Sequence, residues 1–440
     1  MKYIKYIFIV SLLILSGCTL DEIDNPNSPS EGTFSEGATQ ADIQLLAYGL
    51  EAVMRNDIAF HYNTVSMLAR EYYDLSGVDP RYTGELLKGP LDNNGFLTTR
   101  SFAAWYKVVK SANLLIPAVE NSSAGFDNQT KNGYYGFAKT LKAYALLMVA
   151  NRQYSNGIRI DVEDPDNLGP ILSYEEALGA IMDLLNEANL NLGGGGDSFD
   201  FATTIGFETP SAFSKFNRAL AARVALYQGN KQMALSLLND SFFDLNGDLW
   251  MGAAHIFGLT GNDLQNTLYY VPNLSGQQFM IHDTWVAEAE AGDTRVAEKS
   301  NLYSPEIDGV PTPTTVSFDG LTADYQIAVY DSNVDPVYII RNEELILIYA
   351  EAQIGTNTTA AVNAINIIRN AAGIGDYSGA TDDTSLVEEI LKQRRYSLLG
   401  EGHRWIDLRR LNRLNENYVP LDRAGDNIIE SFPTPFTEGL

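Results

Sequence analysis

The chain has one cysteine in 440 residues, Cys18. No disulfide can therefore form within it, whatever the redox state of its compartment. Cations are also scarce, with 30 Lys and Arg against 56 Asp and Glu and a formal charge of −26. A surface of that sign repels phosphate backbones and argues against nucleic acid as a partner. The longest apolar run, Ile7 to Leu15, is nine residues with one Ser, too short for the ~20 residues a bilayer crossing needs. The four histidines, His61, His255, His282 and His403, are far apart and lack metal-ligand spacing. The sequence contains no Gly-x-Ser-x-Gly elbow, phosphate loop or dinucleotide fingerprint. The Gly193 to Gly196 run lacks the Lys-Ser/Thr of a phosphate cradle and reads as a helix stop. Glycosidase chemistry needs two facing carboxylates, and no feature of the pattern singles out such a pair.

The apolar run has a meaning of its own. Lys2 and Lys5 precede it and Leu15-Ser16-Gly17-Cys18 closes it, the form of a secretory signal ending in a lipobox. Residues 1–17 are thus expected to be a lipoprotein signal peptide, with Cys18 the lipidated residue. Several acyl chains on one residue make a firm anchor. Membrane attachment is expected through that anchor only. Residues 18–37, with Asn25-Pro26-Asn27-Ser28-Pro29-Ser30, read as a flexible tether.

Residues 38–240 carry helical periodicity. Candidate helices run Ala41 to Met54, Trp105 to Val119, Tyr134 to Tyr154 and Tyr174 to Leu192, and Ser211 to Tyr227 pairs with Lys231 to Leu238 around Gly229-Asn230. That last pair is similar to a tetratricopeptide (TPR) unit. Residues 241–340 change character: Gly, Pro, Asn and Asp rise, and only short pieces such as Tyr325 to Tyr330 and Val337 to Ile340 read as strands or extended loops. In residues 341–440 helical stripes return. Leu345, Ile348, Tyr349 and Ala352 share one face, Ala361, Ile365, Ile368 and Ala372 another, and Gly373 suits a left-handed helix stop. A third helix runs from near Ser385 to Gly400, and Trp405, Leu408 and Leu411 outline a fourth.

The order of these closing residues, RNEELILIYAEA, then AINIIRNAAGI, then LKQRRYSLLGEGHRWIDLRRL, resembles the C-terminal signature of the SusD/RagB family of Bacteroidetes outer-membrane lipoproteins. The chain departs from it at Gln393 and Ser397, where glutamates are common in the family. The resemblance implies a mainly α fold: a TPR-like superhelix of helical hairpins in which 38–240 and 341–440 pack as one domain, and a loop-rich insert, 241–340, carrying the ligand site. It implies a surface-facing outer-membrane protein that binds glycans without catalysis or a cofactor. The partner would be a SusC-like TonB-dependent transporter, over whose mouth it closes like a lid. Peptide or other nutrient capture is the alternative, and a lipid-anchored glycoside hydrolase is a third reading. Asp21, Glu22 and Asp24 after Cys18 are similar to the family's surface-export signals.

Flat aromatic rings suit sugar stacking. Trp285, in the polar stretch HDTWVAEAEAGDTR, is the first candidate platform, with core packing its alternative. Tyr73 and Tyr82 with Arg81, in REYYDLSGVDPRYTGE, follow as ligand-binding candidates, while Trp250, Tyr269, Tyr270 and Tyr303 default to packing. Glu401, His403, Arg404 and Asp407 read better as a buried ion-pair network than as an acid-base site, because Arg suits bidentate structural pairing. Asp244 to Asp248 begins like a calcium loop, but Leu249 stands where the sharp turn needs Gly and His255 at the twelfth position. A structural Ca²⁺ there is the one metal considered. Asp161, Glu163, Asp164 and Asp166 read as a solvated acidic loop rather than a cation site.

Overall fold

A computed structural model describes residues 37–261 and 263–439. The signal peptide, the lipobox with Cys18 and nearly all of the tether lie outside the described residues. Among the described residues, no helix is long and apolar enough to cross a membrane.

The chain is mainly helical. Among the described residues, seven helices of nine residues or more come first: α1 (Gln40–Met54), α2 (Ile58–Leu68), α3 (Phe96–Glu120), α4 (Asn128–Gln153), α5 (Tyr174–Gly193), α6 (Pro210–Tyr227) and α7 (Lys231–Asn239). Side-chain caps set most of their starts. Thr39 and Asp42 form a capping box on α1, as do Ser173 and Glu176 on α5, and Thr209 caps α6 ahead of Pro210 in the first turn. Helix α2 has no sequence stripe because all eleven of its residues are buried.

Successive helices stack as hairpins, α3 on α4, α4 on α5, α5 on α6 and α6 on α7. The α4–α5 crossing is close. A Cβ built on Gly136 would stand 2.5 Å from Cγ of Leu192, so only glycine lets these helices meet. The apolar stripes merge into one large core, which includes Phe137, Leu141, Ile181, Leu185, Phe213 and Phe216.

After Asn239 the chain leaves this stack and comes back at Asn342. Helix α8 (Asp283–Ala287) and helix α9 (Thr294–Lys299) lie in the excursion. Its strands of three residues or more, with one contributed by the N-terminal half, are β1 (Tyr72–Asp74), β2 (Gly252–His255), β3 (Phe279–Ile281), β4 (Ser300–Leu302), β5 (Val316–Phe318), β6 (Leu321–Ala323), β7 (Tyr325–Ile327) and β8 (Val337–Arg341). They form an antiparallel sheet of order β1-β3-β7-β4, a β5/β6 hairpin and a β2/β8 ladder bulged between Tyr338 and Ile340. The β2/β8 ladder closes the root of the excursion, so the point of exit lies beside the point of return.

The last helices are α10 (Asn342–Gln353), α11 (Thr358–Ala371), α12 (Asp383–Ser397) and α13 (Arg404–Arg410). Helix α10 packs on α7 and α6, then on α11 and α12, so the stack continues across a hundred residues of intervening chain. Arg223 on α6 and Glu344 on α10 join the two parts by a bidentate ion pair. Gly373 sits just past α11 at φ +76°, a left-handed stop that glycine adopts without strain.

Candidate functional site

The signature region is buried and ionic. Arg341 holds Glu343 at 2.7 Å and also pairs with Glu401, Arg394 holds Asp407 at 2.6 Å, and Arg410 bridges Asp407 and Glu351. Burial alone would raise the carboxyl pKa values of Glu344 and Asp407, but Arg223 acting on the first and Arg394 on the second hold each down to about 2. His403, 3.8 Å from Glu344, is pushed down to about 3 by burial and stays neutral. The two departures from the signature serve one residue: Gln393 Oε1 and Ser397 Oγ both accept from Arg295, at 2.9 and 3.0 Å.

Trp285 proves to be core. It is 0% exposed, its indole lies 5.0 Å from the ring of Tyr396, and its N–H points at the Arg395 carbonyl at 3.4 Å. The reason is that α8, capped by His282, is barely more than one turn long. Asp283 and Glu288 face solvent while Trp285 turns against α12, and so short a helix shows no stripe. Tyr73 is likewise removed from the candidate platforms. It is 1% exposed in the middle of β1, and its hydroxyl donates to Asp422. His282 completes that cluster through Nε2 to Asp422 at 3.1 Å and Nδ1 to Thr284 Oγ1 at 2.8 Å, a network that fixes the start of α8.

Arg81 and Tyr82 do come together, around a residue the sequence did not single out. The Arg81 guanidinium lies 4.0 Å from the centre of the Phe96 ring and is held by Asp79 at 2.6 Å. Tyr82, half-buried, meets Phe96 edge-on at 5.9 Å and 90°. Tyr270 is buried against Phe279 at 4.0 Å, and Tyr303 is buried as well.

Of the four tryptophans, Trp250 is the one that the structure exposes. Trp105, Trp285 and Trp405 are 0–2% exposed, whereas Trp250 is 51% exposed. It follows the Asp244 to Asp248 turn, whose last carboxylate accepts its backbone N–H at 3.0 Å. Beneath the indole, 4.7 Å from its centre, sits the buried Arg341 guanidinium, and Tyr338 stands 5.7 Å away at 49°. A cation against one ring face orients the indole without covering it all. Trp250 borders a cleft of about 280 Å³ between this turn, α9 and the end of α11, with Asp248, Thr294, Glu298 and Glu343 as polar lining. The missed signal was Arg341: an arginine in the buried signature can support a ring from below, but only the fold says which ring.

The Asp244 carboxylate accepts from the Asn246 backbone N–H at 2.8 Å, an Asx-type turn. Among the described residues, no three His, Cys, Asp or Glu side chains are grouped to hold a metal ion.

Residues 281–438 match the family model described as SusD family. The match covers the later part of the excursion and the closing helices, the stretch whose signature resembles the SusD/RagB family. The chain is similar to the SusD-like protein P38 of Formosa agariphila, 23% identical in an alignment covering 95% of this chain and 93% of that one. Among solved structures, a SusD superfamily protein from Bacteroides vulgatus is similar with a TM-score of 0.67 at 16% identity, over 91% of this chain and 96% of its own. The surface glycan-binding protein A of Bacteroides fluxus gives 0.65 at 18% identity, with coverage of 91% and 96%. These SusD-family folds agree with the TPR-like stack of hairpins described above.

Proposed function

We propose that this chain is a SusD-like, non-catalytic glycan-binding protein whose platform is Trp250. The observation that carries the reading is the half-exposed indole, seated over Arg341 and beside Tyr338 at the edge of a polar cleft. An indole face offers apolar area to the C–H face of a sugar, and the polar groups around it bond the hydroxyls. The glycan-binding neighbour from Bacteroides fluxus supports the same ligand class. Arg81, Tyr82 and Phe96 form a second aromatic edge for the same ligand.

In this reading Cys18 carries the lipid anchor, the body faces outward from the outer membrane, and captured glycan passes to a TonB-dependent transporter. The charged residues of the closing signature, on this reading, hold the helices together rather than act on the ligand.

The test is affinity electrophoresis of the protein, with its leader removed, in gels containing glucans, mannans, fructans, alginate or pectin. Retardation by one class, lost in Trp250→Ala, supports the proposal. Unchanged mobility in every gel, or release of reducing ends from a retarding polysaccharide, would overturn it.

A further inference from the structure

A second cavity, of about 390 Å³, lies between α8, α12 and the segment after α13, and it shares no lining residue with the Trp250 cleft. Its volume is in the range of small-molecule sites. The residue that sets it apart is Arg404. Arg341, Arg394 and Arg410 each grip at least one carboxylate. Arg404, 8% exposed and lining the cavity, grips none. Its one hydrogen bond among the described residues runs to the Leu391 carbonyl at 3.2 Å.

The cations on the walls are already neutralised. Lys392 is paired with Glu290 at 3.0 Å and Arg395 with Glu288 at 2.5 Å. One turn before Lys392 on the same helix, Glu388 is held by Arg413 and accepts from the Tyr418 hydroxyl at 2.9 Å. Arg404 therefore contributes the cavity's uncompensated charge. The buried Glu71 carboxylate acts on Arg404 electrostatically, but the two form no ion pair. Burial raises the Glu71 pKa to about 7, so at neutral pH much of its charge is missing.

Other buried arginines without a carboxylate, such as Arg152 and Arg409, have their forks filled by protein oxygens, whereas Arg404 has one such bond and a fork free to take a carboxylate from outside. The remaining lining is that of a polyol site: Glu288 and Glu388 accept from hydroxyls, Asn417 and Thr284 do both, and Tyr418 offers a ring. Those same glutamates oppose a multiply charged anion. We infer that this cavity binds a uronic-acid residue of a glycan, its carboxylate on Arg404 and its hydroxyls on the walls. The overall −26 charge does not prevent this, because at physiological salt it is screened beyond ~8 Å, whereas contact within the cavity is not.

The inference is tested by calorimetric titration of the leader-free protein with trigalacturonate and with its methyl ester, which has the same hydroxyls and no charge. The acid should bind at least tenfold more tightly than the ester. Arg404→Gln should erase the difference. Asn417→Asp, at the exposed mouth and independent of the core, should weaken the acid about tenfold and leave the ester unchanged. Trp250→Ala should preserve the preference. Equal binding of acid and ester, binding of neither, or an acid preference that survives Asn417→Asp would overturn the inference, and so would equally tight binding of a short peptide through its C-terminal carboxylate.

Discussion

Arg223 and Glu344 meet through two parallel bonds, at 2.7 and 2.6 Å, with both side chains almost wholly buried. They are 121 residues apart in sequence, and between them runs the whole excursion that carries Trp250. The pair fastens α10 onto α6 at the place where the helical stack resumes.

Removing one partner leaves an uncompensated buried charge. Glu344→Gln should lower the unfolding free energy by about 3–5 kcal/mol, whereas replacing both partners by Arg223→Met with Glu344→Leu should cost less than the single change. Denaturant titration of the three variants checks this. A double variant as unstable as Glu344→Gln would mean that the pair is not what joins the helices.

The two exposure classes of tryptophan separate stability from binding. Trp285→Ala deletes a fully buried side chain and should cost about 3–5 kcal/mol in unfolding free energy. Trp250→Ala should leave stability within ~0.5 kcal/mol and weaken glycan binding at least tenfold, about 1.4 kcal/mol. Thermal unfolding and titration of the same two proteins decide whether the assignment of core and platform is right.

Glu71 makes stability depend on pH in an unusual direction. Burial raises its folded pKa from 4.5 to about 7, so its contribution to stability is complete below pH 4.5 and is lost as the pH rises through 7. Glu71→Gln should therefore be more stable than the parent at pH 8, by about 3 kcal/mol at the upper limit, and should show no such advantage at pH 4. His403 acts in the opposite sense. With its folded pKa near 3 and its ordinary value 6.5, the unfolded chain alone takes a proton between those limits, and stability falls as the pH drops through that window. A pH series of melting curves on Glu71→Gln and His403→Gln measures the two slopes.

Gly136 tests the helix crossing. Gly136→Ala puts a methyl group 2.5 Å from Leu192 Cγ and close to the Ala188 carbonyl, where α4 and α5 leave no space. The higher helix propensity of alanine, worth ~1 kcal/mol, should be outweighed by overpacking. Net destabilisation of about 1–2 kcal/mol by chemical denaturation is expected; a gain would show that the helices separate at no cost.

Much of the helical order was legible because its signals are local. Caps such as Asp382 before α12, stripes such as Ala361, Ile365 and Ile368, and the stop at Gly373 act within a few residues of one another. Helix α2 escaped because a helix buried all round has no stripe, and β1 because its partner strand is two hundred residues away. The candidate site was less legible. Polar neighbours made Trp285 look exposed, although they occupy the outer side of a helix of five residues whose inner side is that tryptophan.

The sequence by itself determined where most helices begin and end, the acidic surface, and the buried charge of the closing motif, because periodicity, capping and composition belong to neighbouring residues. Tertiary structure alone decided that Trp250 is exposed and Trp285 is not, that Arg341 supports a ring, and that Arg404 faces a cavity without a carboxylate. Exposure and ion pairing are set by residues that meet only after α10 has returned to α6 and α7, so no local pattern encodes them.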